Sequence, residues 1–226
     1  TQTLDNQANA GIPSASTANV DNAMPSANAL DVPSDLSQDA AMTAPIVNQT
    51  DRFIDIVTDT LHVQIDLVGG DVVQSDLIKY PVTQGADDSY QLLSPLDATL
   101  YVAQSGLIGK DGPDGSNGRP RYNADADEFV MNAGETLRVP LVWESNDGLS
   151  ITKTFIFESN SHTVTLEYDI NNNTGRALQM QQFAQLKQTL NEQSGGSMFM
   201  PTFRGAAYST QDERYEKLPF SDIEDE

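Results

Sequence analysis

The stretch Leu61-His62-Val63-Gln64-Ile65-Asp66-Leu67-Val68-Gly69-Gly70-Asp71-Val72-Val73 decides the fold class. Leu61, Val63, Ile65 and Leu67 alternate with His62, Gln64 and Asp66, the period of a strand with one buried face, and Gly69-Gly70 then turns the chain into Asp71-Val72-Val73. This predicts a β-hairpin. The same grammar returns downstream, where Leu137, Val139, Leu141 and Trp143 share one face, Ser145-Asn146-Asp147-Gly148 turns, and Ile151 to Phe157 run back. Val164, Leu166, Tyr168 and Ile170 then alternate with Thr163, Thr165, Glu167 and Asp169 until Asn171-Asn172-Asn173-Thr174-Gly175 breaks the run. Repeated strands joined by Gly, Asn and Asp turns, with little sign of helices between them, predict a mainly all-β, antiparallel sandwich.

One segment resists this reading. From Ala177 to Leu190, Met180, Phe183, Leu186 and Leu190 fit a helix, while Leu178, Met180, Ala184 and Leu186 fit one strand face. Periodicity alone leaves both open.

Composition sets the boundary of the folded part. Residues 1 to about 50 hold ten Ala, six Asn, five Asp and four Pro, with no Lys, Arg or aromatic residue, too little apolar surface to offset the entropy of ordering. All 16 aromatic residues lie from Phe53 onward. The expected organisation is a disordered tether over residues 1–45 and a β domain over 46–226. The 226-residue chain has no cysteine, which removes disulfides, thiolate metal sites and cysteine nucleophiles. With 12 Lys and Arg against 33 Asp and Glu, its formal charge of −21 argues against nucleic acid or an anionic membrane surface as a partner. No window approaches the roughly 18 apolar residues of a membrane span, so a soluble fragment is expected.

Catalytic chemistry finds little purchase. The only histidines, His62 and His162, read as solvent-facing strand residues without a recognisable catalytic partner. Ser197 in Gly195-Gly196-Ser197-Met198-Phe199 lacks the closing glycine of a nucleophile elbow. Asp111-Gly112-Pro113-Asp114-Gly115-Ser116-Asn117-Gly118 is rich in oxygen ligands but misses the calcium-loop spacing, and a long surface turn is expected there. Neither a metal nor a cofactor is expected. The acidic run Ser221 to Glu226 reads as a solvated chain end.

Phe199-Met200-Pro201-Thr202-Phe203-Arg204-Gly205-Ala206-Ala207-Tyr208 stands apart, packing aromatics, small residues and one cation into ten positions. Its later part, Thr202-Phe203-Arg204-Gly205-Ala206-Ala207-Tyr208-Ser209-Thr210 with Tyr215-Glu216-Lys217, resembles a block of the proteobacterial YidC periplasmic domain family. Further blocks agree in order: Gly69-Gly70-Asp71-Val72, Tyr90-Gln91-Leu92-Leu93, Ala103-Gln104-Ser105-Gly106-Leu107, Asp111-Gly112-Pro113-Asp114, Arg119-Pro120 with Tyr122-Asn123, Lys153-Thr154-Phe155, and Phe183-Ala184-Gln185-Leu186-Lys187-Gln188. The resemblance covers essentially everything after the tether, and departs from the family pattern at Gly115-Ser116-Asn117-Gly118.

That resemblance implies an antiparallel β-supersandwich like those of galactose mutarotase-like domains, with a small helical part toward the C-terminal side, and it favours strand for Ala177 to Leu190. It implies a non-catalytic periplasmic domain of an inner-membrane insertase and chaperone for membrane proteins, working alone or with the Sec translocon. One membrane helix would precede Thr1 and several would follow Glu226, and nascent membrane proteins would be met by those missing segments. The C-terminal part of such domains is implicated in contact with SecD/SecF, which by motif match points to Thr202, Arg204, Gly205, Ala206 and Tyr208 as candidate contacts. In strand geometry Phe203 shares a face with Ala207, and Arg204 shares the other with Ala206 and Tyr208, so Phe203 is expected in the core and Arg204 at an interface. The alternative is a periplasmic carbohydrate- or polymer-binding β-sandwich module, and an adhesin-like domain is a third reading.

Overall fold

The structure is a computed structural model that describes residues 52–115, 118–189, 203 and 205–220. Strands β1 (Phe53–Val57), β2 (Leu61–Asp66), β3 (Asp71–Pro81), β4 (Ser89–Leu93), β5 (Tyr101–Ile108), β6 (Glu128–Val130) and β10 (Gln181–Gln188) build one seven-stranded sheet. Its order is β10-β5-β3-β2-β1-β6, with β4 beside β3, and β1 with β6 is its parallel pair. Strands β7 (Leu137–Glu144), β8 (Leu149–Phe157) and β9 (Val164–Asn172) form a second, antiparallel sheet in the order β7-β8-β9. A third, two-stranded sheet joins β11 (Gly205–Tyr208) to β12 (Glu216–Pro219).

The alternation read from the sequence is what packs the two large sheets together. Ile54, Ile56, Leu61, Val63 and Ile65 from β1 and β2 share one buried cluster with Val139, Leu141, Ile151 and Phe155 from β7 and β8. Both predicted hairpins form: Leu61 to Asp66 pairs with Leu77 to Asp71 across a bulge between Gln64 and Ile65, and Leu137 to Glu144 pairs with Phe157 to Ser150. The Gly69-Gly70 turn places both residues at positive φ, 85° and 63°, where a side chain would be strained. Val164, Leu166 and Tyr168 are the half-buried residues of β9, while Ile170 is exposed.

Segment 118–123 crosses between the sheets. Arg121 bridges Val68, two residues past the end of β2, and Asn123 bridges Val142 of β7, with Tyr122 N bonded to the Leu67 carbonyl at 2.8 Å. Tyr122, fully buried, fills the space between. Nearby, Asp59 in the β1–β2 turn accepts from Asn160 N at 2.8 Å and Ser159 Oγ at 3.0 Å, tying that turn to the loop after β8.

Several expectations change. The Ala177 to Leu190 segment contains strand β10, antiparallel to β5, but its buried residue is Phe183, and the face holding Ala184 and Leu186 is exposed. A sheet that packs on a core with one face leaves the alternate residues of its strands to solvent. The small helical part expected toward the C-terminal side is not found as a helix among the described residues: Phe220 alone is helical there, and the one helical element is the 3-10 turn Asp97–Thr99. His162 lies in the loop before β9 rather than on a strand. The Asp111 to Gly118 turn is not simply a surface loop, since its Asp114 is buried at 1% exposure. The tether expected over 1–45, Ser197, Leu190 and the acidic run from Ser221 lie outside the described residues.

Candidate functional site

The residues singled out for partner contact fall on the C-terminal hairpin. Gly205, Ala206 and Tyr208 stand on β11, paired with Pro219, Leu218 and Glu216 of β12, whereas Thr202 and Arg204 lie outside the described residues. A Cβ at Gly205 would come within 2.2 Å of the Leu218 carbonyl oxygen, so the close approach of the two strands demands glycine there. Tyr208 is 47% exposed and Ala206 is exposed. Phe203 is not a core residue. It is 41% exposed, with Lys217 Nζ 4.9 Å above its ring. A two-stranded sheet is too thin to bury an aromatic side chain by itself.

The densest chemistry lies elsewhere, between the two large sheets. Lys153 occupies the inward phase of β8 between Ile151 and Phe155 and is fully buried. Its Nζ donates to the carbonyl oxygens of Ser105 at 2.8 Å and Gly69 at 3.0 Å. Around it stand the rings of Phe155, Tyr168 and Tyr122, their centroids 5.5, 5.8 and 5.9 Å from the ammonium. Arg119 Nη2 reaches the same two carbonyls, Ser105 at 3.0 Å and Gly69 at 3.2 Å. Its guanidinium grips Asp71 through two bonds of 2.8 and 3.0 Å, and its Nε donates to Asp114 at 2.6 Å. Asp71 accepts in addition from Gln104 Nε2 and Ser105 N, and Asp114 from Leu107 N.

Two cations and two carboxylates thus balance in a place almost closed to solvent. Each group titrates as burial dictates. Desolvation pushes Lys153 down to about 8, against the attraction of Asp71, with Arg119 adding to the fall. Desolvation likewise raises Asp114 above the usual carboxylate range despite Arg119. Burial opposes the charge on Arg119, but Asp71 and Asp114 outweigh it and hold its pKa up. Tyr168 is raised to about 12, chiefly by burial, and Tyr122 is raised too. The hydroxyl of Tyr122 has no hydrogen-bond partner.

Such a knot is built for cohesion. A lysine held near 8 resembles an activated amine. However, Lys153 has no exposed surface and both bonds from its Nζ end on backbone carbonyls, so a substrate has no path to it. The approach is tight throughout: a Cβ at Gly106 would lie 2.4 Å from Asp114 Oδ2. Sequence reading missed this cluster, although a charged residue at an apolar phase in Ile151-Thr152-Lys153-Thr154-Phe155 was a visible signal.

The two histidines stand apart from this cluster. His62 Nε2 lies 3.2 Å from Asp55 and its Nδ1 3.5 Å from Asp76 on the outer, partly exposed face of the first sheet. His162 rests against Tyr80, ring centroids 5.6 Å apart. Among the described residues no group of His, Asp and Glu is arranged to hold a metal ion, and no helix is long and apolar enough to cross a membrane. A shallow polar recess of about 520 Å³ across β7, β8 and β9 is lined by Arg138, Thr152, Thr154, Glu167, Tyr168 and Asp169.

The model of the YidC periplasmic domain family matches residues 53–226. The chain belongs to that family. It is 48% identical over 181 residues to the membrane protein insertase YidC of Pseudoalteromonas atlantica (strain T6c / ATCC BAA-1087), covering 80% of this chain and 33% of that protein. It is 45% identical over 196 residues to the membrane protein insertase YidC of Shewanella sp. (strain ANA-3), covering 85% and 35%. The insertase YidC of Pseudoalteromonas translucida (strain TAC 125) is 42% identical over 190 residues, covering 84% and 34%. The chain therefore spans about a third of the length of these relatives. The knot and the C-terminal hairpin both fall within the part that the YidC periplasmic domain model matches.

Proposed function

We propose that this chain is the non-catalytic periplasmic module of an inner-membrane YidC-type insertase, supporting the insertion and folding of membrane proteins through protein contacts. The match of the YidC periplasmic domain model over residues 53–226 carries this reading. The sealed surroundings of Lys153 support a module without turnover, as does the placing of His62, whose Asp55 and Asp76 partners lie with it on the outer face of a sheet rather than in a cleft. Membrane-spanning segments of the longer protein would receive the nascent substrate.

The contact with SecD/SecF is assigned to β11. Ala206 and Tyr208 share an exposed face of a hairpin whose twin strand is fixed by Gly205, a geometry that presents side chains without disturbing the core. The tether over 1–45 would give the domain reach from the membrane. A photo-reactive amino acid placed at Ala206 in the complete insertase tests the assignment. It should cross-link to SecD or SecF, and the same probe at Thr165 on β9 should not. Equal cross-linking from both positions would refute it.

A further inference from the structure

Strand β3 changes character halfway along. From Asp71 to Asp76 its residues alternate between buried and half-buried, but Ile78, Lys79, Tyr80 and Pro81 are all exposed. The strand does not stop there. Leu77 still pairs with Leu61 of β2 and Ile78 N bonds the Thr60 carbonyl at 3.1 Å, but beyond them β3 runs on beside β4 alone as a ribbon, Leu77 opposite Tyr90 and Pro81 opposite Ser89 with the register shifted between those pairs. A ribbon in water should carry polar side chains, yet Ile78, Tyr80, Val82, Tyr90 and Leu92 are 40 to 58% exposed. The pairing of Leu77 with Tyr90 puts Tyr90 on the face opposite that of Ile78 and Tyr80, so the ribbon exposes apolar groups on both sides, and exposed apolar groups of this kind mark an interaction surface.

Two further features say what kind of partner fits. Strand β4 pairs with β3 on one side and, among the described residues, no strand pairs with Ser89 to Leu93 on the other, although Ser94 just beyond them bridges Tyr101 of β5; Ser89-Tyr90-Gln91-Leu92-Leu93 carries none of the lysines or prolines that usually blunt an edge. The rim is acidic: Asp87 and Asp88 are exposed just before β4, and Lys79 is the one Lys or Arg from Asp76 to Tyr101. Its ammonium stands 4.0 Å from Asp59 and donates to Asn160.

We infer that the β3–β4 ribbon docks an extended segment of another protein in which basic residues alternate with apolar ones, added as a new strand on the open edge of β4. Main-chain bonds to the edge supply affinity, the apolar residues lie against Tyr90 and Leu92, and the basic residues meet Asp87 and Asp88. A chain of formal charge −21 repels both a second copy of itself and an anionic bilayer, which leaves a basic peptide as the partner its charge selects. This docking is independent of the role given to β11.

Hydrogen exchange on the 226-residue chain, with a nonapeptide alternating lysine and valine as the probe, tests the inference. The peptide should slow exchange at the amides of Tyr90 to Leu92 and bind at least tenfold tighter than the same peptide with glutamate for lysine. Leu92→Glu and the pair Asp87→Lys, Asp88→Lys should each weaken binding at least tenfold. Leu186→Glu, at a still more exposed leucine on β10, should leave it unchanged. Four outcomes overturn the inference: equal binding of the glutamate peptide, protection of the β4 amides in the peptide-free chain at low concentration, self-association that masks the ribbon, or binding to phosphatidylglycerol vesicles that Leu92→Glu abolishes while the lysine peptide does not bind.

Discussion

Lys153 and Arg119 donate to the same two carbonyl oxygens, those of Gly69 and Ser105. Two cations focused on one pair of acceptors repel each other, and the arrangement holds only because Asp71 and Asp114 bring equal negative charge into the same dry space. Lys153 comes from the three-stranded sheet, the Ser105 carbonyl from β5 of the larger one and the Gly69 carbonyl from its β2–β3 turn, so the knot fixes how the sheets sit on each other.

Removing either cation should therefore cost stability, but unequally. Arg119→Met leaves Asp71 and Asp114 buried without their main partner, and a loss of about 3 to 5 kcal/mol is expected. Lys153→Met keeps Arg119 on both carbonyls and both carboxylates, so about 1 to 3 kcal/mol is expected. Urea unfolding of both variants measures the order, and a larger loss for Lys153→Met would contradict it.

The titration of Lys153 gives a pH signature. Its folded pKa of about 8 lies below the ordinary 10.5 of the unfolded chain. Between those values the unfolded state binds more protons, so stability rises with pH across that window, by about 3 kcal/mol if the lysine acted alone at about 1.4 kcal/mol per pH unit. Tyr122 and Tyr168 have the opposite sign. Their folded pKa values are raised, so the unfolded tyrosines lose protons first and stability falls above about pH 10. Urea midpoints from pH 7 to 11 should climb, peak near pH 10 and fall, and Lys153→Met should abolish the climb.

Gly106 faces Asp114 with no room for a methyl group. Gly106→Ala should destabilise by about 1 to 3 kcal/mol, and its effect should shrink in an Asp114→Ala background because the clash then disappears. Additive losses would show that Gly106 serves another purpose.

Phe203, half in solvent, should behave unlike a core aromatic. Phe203→Ala should cost less than about 1 kcal/mol, whereas Phe155→Ala, buried beside Lys153, should cost about 3 to 5 kcal/mol. Thermal melts of the two variants decide it.

What the sequence made legible was the alternation. Leu61 to Leu67, Leu137 to Trp143 and Val164 to Tyr168 each bury one face, and a period of two reports that fact directly. Strand β10 was harder, because Phe183 fitted only the helical stripe and lay off the strand face read from Leu178, Met180, Ala184 and Leu186, and its register is set by pairing with β5 rather than by its own pattern. The knot was hidden for a different reason. Asp114 and Arg119 sit in irregular chain where no period exists, and their partners Asp71 and Lys153 are distant in sequence. Phe203 was misjudged because strand alternation assigns faces but not which of them is covered.

The most direct test of the account is made in cells depleted of their own insertase and supplied with the full-length protein carrying Lys153→Met, or Ala206→Glu with Tyr208→Glu. If the knot is structural and β11 makes the contact, the Lys153→Met protein should insert membrane proteins and co-purify with SecD/SecF, while the β11 variant should be stable yet lose SecD/SecF. A folded Lys153→Met protein that no longer inserts, or a β11 variant that still co-purifies with SecD/SecF, would contradict the account.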